Sequence, residues 1–139
     1  MRKTIIALFA LMMSISANAF EFDGIDLNKN YFEIAREISA KGYVYDDVND
    51  CLKGNCQGTE ITLSLKAEKN KLGQLVVDIP MSGNALETVT KTFNVVYHQT
   101  SKTQGSCTYQ VSNDGTTLIV SAIANGVRLT YNTPFFNKK

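Results

Sequence analysis

Ile61-Thr62-Leu63-Ser64-Leu65-Lys66-Ala67 decides the fold: apolar and polar side chains alternate strictly, the period of a strand with one buried and one wet face. Residues 74–79 supply its partner across a turn built from residues 70–73. Pro80 ends that partner because it has no N–H to give to a ladder. A hairpin with one apolar face cannot stand alone, so the segments around it must supply a cover.

The cover is expected on both sides of the hairpin in sequence. Upstream, Tyr31, Ile34, Ala35 and Ile38 recur at helical spacing, Glu33 stands three residues after Asn30 as in a capping box, and Lys41-Gly42 closes the helix. Downstream of Ser82-Gly83-Asn84, Leu86, Val89, Phe93 and Val96 again fall on one helical face, although Val95, Val96 and Tyr97 would equally suit a strand. Residues 43–48 read as a strand, residues 101–106 as a polar loop. Asp114-Gly115 and Asn125-Gly126 mark hairpin turns, because such turns need the positive φ that Gly and Asn tolerate. They divide strands at residues 107–112, 116–124 and 127–131.

Helix, three strands, helix, three strands is therefore the expected order. It predicts an α+β domain of two layers, with two helices packed on one face of an antiparallel sheet and an αβββ-αβββ duplication whose halves are residues 28–80 and 84–131. The opposite sheet face is left for a partner.

The chain begins with an address. Arg2 and Lys3 precede an apolar run over residues 5–13, and Ala17-Asn18-Ala19 has the small-x-small form that signal peptidase cuts, so residues 1–19 read as a secretory signal peptide. A spanning helix needs about 20 apolar residues, and this run turns polar at Ser14 and Ser16. The expectation is a periplasmic or secreted bacterial protein, residues 20–139, forming one domain with no transmembrane segment. Taking Arg2 and Lys3 from the 14 basic residues leaves 12 against 13 acidic ones, interspersed along the chain. Phosphate neutralisation demands a basic footprint, so nucleic acid is excluded as a partner.

Cys51, Cys56 and Cys107 all follow the signal, in a compartment that permits disulfides, and three thiols allow at most one internal pair. Cys51 and Cys56 flank Leu52-Lys53-Gly54-Asn55, which reads as a short turning loop, and so favour one another. The small ring would stabilise the fold by about 2 kcal/mol. Cys56 with Cys107 is the alternative.

Chemistry is sparse. His98 is the single histidine, and a closed zinc site would require it to converge with all three cysteines, against competition from a disulfide. No G-x-S-x-G surrounds a serine, and no thiol-protease signature surrounds a cysteine. Asp46-Asp47-Val48-Asn49-Asp50 is the densest acidic segment, but it lacks the ligand order and distant Glu of a calcium loop. No cofactor is expected, and no catalytic residue is named.

Phe22-Asp23-Gly24-Ile25-Asp26-Leu27, then Glu33-Ile34 and Lys41-Gly42-Tyr43, together with the order of elements, resemble the helix-plus-meander modules of the β-lactamase inhibitory protein (BLIP-like) and the SmpA/OmlA outer-membrane assembly lipoproteins. The resemblance implies a non-catalytic exported module that presents a sheet surface and loops to a partner. This chain lacks the lipoproteins' lipidation cysteine and carries only three cysteines, so no functional residue transfers.

The function expected is binding of another protein or a cell-envelope component. Two other classes are a small hydrolase or thiol enzyme, which needs His98 beside a thiol or carboxylate in a pocket, and a carrier of a small apolar ligand, which needs a cavity of several hundred Å³. Contact residues are expected on the wet sheet face, at Thr62, Ser64 and Lys66, or in the acidic segment at Asp46, Asp47 and Asp50.

Overall fold

A computed structural model describes residues 13–15, 20–56, 58–111 and 115–137. The charged start of the expected signal, its cleavage motif and Asp114 lie outside them. Met13–Ile15 forms β1, antiparallel to β2 (Phe20–Phe22), which pairs in turn with β3 (Ile25–Asp26). The expected cleavage point falls between β1 and β2.

Helix α1 (Tyr31–Ala40) starts where its sequence says it should. Asn30 Oδ1 accepts the Glu33 backbone N–H at 3.0 Å while its amide donates to the Glu33 carboxylate at 2.8 Å, which satisfies one of the open donors of the first turn. Gly42, at φ +99°, ends it in the left-handed conformation that glycine tolerates. Strands β4 (Val44–Asp46), β5 (Cys51–Cys56), β6 (Thr59–Glu68) and β7 (Lys71–Pro80) follow. Helix α2 (Ala85–Val96) then precedes β8 (His98–Lys102), β9 (Ser106–Gln110), β10 (Thr117–Ile123), β11 (Gly126–Asn132) and a terminal turn, α3 (Pro134–Asn137).

The protein is α+β, built on one eight-stranded antiparallel sheet in the order β4-β5-β6-β7-β11-β10-β9-β8. Four strands follow each long helix where three were expected. The two extra strands hide behind polar or turn-like sequence. His98–Lys102, partly read as loop, is an edge strand, where exposed backbone is matched by exposed side chains. Cys51–Cys56, read as a loop, is a strand because the Tyr43 ring lies where a Cβ on Gly54 would stand. An aromatic over a strand glycine replaces the packing the glycine lacks.

One face of the sheet is apolar and closed. Leu63, Val77, Leu129 and Val120 stand opposite one another across four strands, each 0% exposed. Ile34 and Ile38 of α1 and Val89 and Phe93 of α2 belong to the same buried cluster, and Phe93 meets Tyr109 of β9 at 6.0 Å between ring centroids. Tyr109 donates from its hydroxyl to Asn94 Oδ1 at 2.8 Å. Burial, reinforced by Cys107, pushes that phenol up to about 12. At the centre, Gly126 lies so close to β7 that a Cβ there would strike the Ile79 carbonyl oxygen.

Strand β5 also corrects the disulfide. Five residues along a strand separate Cys51 from Cys56 by about 17 Å and put them on opposite faces, whereas bridged Cα atoms lie within about 7 Å. Cys56 and Cys107 are five strand spacings apart, about 24 Å. The expected ring between Cys51 and Cys56 does not form, and all three thiols are free.

Candidate functional site

The other face of the sheet is formed by the alternate residues of the same strands, and the register sets them in rows. Lys53, Thr62, Asp78, Arg128 and Ser121 make one row across β5, β6, β7, β11 and β10. Two residues along, about 7 Å away, Ser64, Val76, Thr130, Ile119 and Thr108 make the next. Lys66, Gln74, Asn132 and Thr117 make the third. Gln74 Nε2 donates to Asn132 Oδ1 at 2.8 Å. Most of these side chains are small or β-branched and half exposed.

A single ion pair stands in the middle. Arg128 Nε donates to Asp78 Oδ1 at 2.7 Å and its terminal nitrogen Nη2 to Oδ2 at 3.0 Å, a two-point grip between the central strands. This pair was not anticipated from the sequence. Its residues sit at even positions of two alternating segments, but nothing local announces that β7 and β11 are neighbours.

Thr62, Ser64 and Lys66 lie on this face, as their alternation implied. The acidic segment meets it at one corner. Lys53, directly opposite Thr62, reaches Asp46 at 3.0 Å, so Asp46 and Thr62 flank one cation. The Asn49 amide, with Lys53 and the Val48 backbone N–H, holds the Asp46 carboxyl down at about 2. Asp47 stays exposed in the turn. Asp50 turns to the other side of the sheet, where its carboxylate accepts from the Tyr45 hydroxyl at 2.7 Å.

The remaining candidates stand apart. His98 begins the edge strand β8 with its side chain exposed. Cys56 and Cys107 are buried, and burial pushes the Cys56 thiol up, as it does the Cys51 thiol. Among the described residues no three metal-ligating side chains cluster, and no helix is long and apolar enough to cross a membrane.

A notch of about 490 Å³ opens beside α1, lined by Tyr31, Ala35 and Ser39 of the helix and by Tyr45, Leu52, Leu63 and Leu65 below it. A shallower hollow of about 600 Å³ lies at the start of α2, between residues 80–86 and 122–126. Comparison of the chain with family models, with curated proteins and with solved structures found no match.

Proposed function

We propose that this chain is an exported, non-catalytic bacterial protein that binds another protein or an envelope component through the uncovered face of its sheet. In this reading residues 1–19 are removed on export and residues 20–139 act in the periplasm or outside the cell. The chain is a doubled unit, one helix and four strands each, with both helices on the closed face. The mirrored strand order about the β7–β11 pair supports the doubling.

The observation that carries the reading is the breadth of the open face: rows of small, half-exposed side chains across the central strands, with the Asp78–Arg128 pair at the middle. A surface with few long side chains loses little conformational entropy on docking, and one central guanidinium can fix orientation. The likeness of the opening segments to helix-plus-meander modules that present a sheet to a partner points the same way.

The test uses the protein isolated from its export compartment as bait in an envelope fraction, under mild crosslinking. A partner captured by the wild type and lost with Thr130→Arg, at unchanged stability, is the expected result. Equal capture by both would remove the open face from the account. Turnover of a substrate with no partner captured would favour the enzyme class instead.

A further inference from the structure

Strand β6 outruns its outer neighbour. It spans Thr59–Glu68, yet β5 pairs only with residues 59–63, because Asp50, at φ +53°, turns the chain off the line of β5 just before Cys51. On that side residues 64–67 meet no strand among the described residues. The corresponding strand of the second half is covered more fully: β9 pairs with residues 117–121 of β10, and the Ala122 N–H is met by the Gly105 carbonyl.

The unpaired length of β6, where the Leu65 carbonyl accepts the Tyr31 hydroxyl at 3.4 Å, borders the notch beside α1. Leu52 and Leu65 form an apolar floor over the buried Leu63, Tyr31 and Tyr45 stand at its sides, and Ala35 is too small to fill it. Tyr45 is 58% exposed, and Phe32, edge to face with Tyr31 at 6.4 Å between centroids, is 73% exposed. Where β5 should have continued, the turn presents Asp47 and Asp50. Asp46 in the same turn is engaged by Lys53, whereas Asp50 accepts the neutral Tyr45 hydroxyl.

We propose that this gap takes an extended peptide segment of a partner protein, added as a short strand to residues 64–67 of β6. One apolar side chain enters the notch, and a lysine or arginine next to it, on the opposite face, meets the exposed Asp47 of the turn. Main-chain pairing supplies affinity, the notch supplies selection for an apolar residue, and the acidic turn supplies direction. The inference rests on the protein-binding reading and adds a second surface, with the chemistry of the segment that fits it.

The probe is an acetylated, amidated hexapeptide of alternating lysine and valine. Its controls are a twin with alternate backbone nitrogens methylated, a twin with glutamate for lysine, and indole as a small apolar molecule. Binding to the protein isolated from its export compartment is followed by amide shifts and amide exchange. The expected result is slowed exchange within residues 64–67, shifts at Tyr31 and Tyr45, and weaker binding by both twins. Ala35→Leu, which fills the notch, and Tyr45→Ala, which removes one side of it, each weaken the peptide about tenfold, the size of a central anchor contact.

Equal binding of the methylated twin, shifts confined to Val76 and Thr130, or no binding would overturn the inference. So would occupancy of the notch by indole alone, which would make it a small-molecule pocket. Failure of the peptide alongside capture that depends on Thr130 would remove this edge and leave the open face standing. Peptide binding alongside capture insensitive to Thr130→Arg would do the reverse.

Discussion

The two faces of the sheet are built from the same strands one residue out of step, and they differ in everything else. Leu63, Val77, Leu129 and Val120 form a row with no exposed surface, while Ser64, Val76, Thr130 and Ile119, each a chain neighbour of one of them, form a row that water reaches. The closed row holds the fold together. The open row buries less and should add less to stability.

The largest effects should separate the faces by stability. Leu129→Ala removes a fully buried side chain and should cost about 2–5 kcal/mol in urea unfolding, whereas Thr130→Ala, beside it in sequence, should stay within about 0.5 kcal/mol. A cost at Thr130 equal to that at Leu129 would break the comparison. Gly126→Ala should come next, at about 1–3 kcal/mol, because its new methyl meets the Ile79 carbonyl oxygen of a central strand.

Smaller effects sharpen the picture of the open face. Arg128→Ala removes a pair whose side chains are 48% and 27% exposed, so it should cost no more than about 1 kcal/mol, and that cost should shrink as ionic strength rises. Its effect on partner capture should be greater than its effect on stability. Smallest is the titration of Asp46. Its carboxyl is held at about 2, below the ordinary 3.8, so the interactions that hold it are complete above the ordinary value and fade as pH falls from there through about 2. Asn49→Ala should raise the pH midpoint at which the Asp46 carboxyl titrates by NMR, and an unmoved midpoint would deny the amide its role.

How much of this was legible in the sequence varies by element. The β6–β7 hairpin and α1 were legible because alternation and an N-terminal cap are local signals, and Asn30 with Glu33 behaves as its spacing implied. Strand β5 was not, since Gly54-Asn55 imitates a turn until Tyr43 is seen to pack over the glycine. That one misreading also produced the Cys51–Cys56 ring, which a straight strand forbids. Strand β8 was obscured by its polarity, which suits an edge but carries no period.

The candidate site was half legible. Thr62, Ser64 and Lys66 follow from alternation alone. Asp78 with Arg128, and the notch beside α1, depend on contacts between segments far apart in sequence.

The most direct test of the open face is photo-crosslinking in cells from two positions: Thr130, half exposed on the open face, and Val95 on α2, which is 86% exposed. A specific adduct from Thr130 and none from Val95 is the result this account predicts. An adduct from Val95 with none from Thr130 would contradict it.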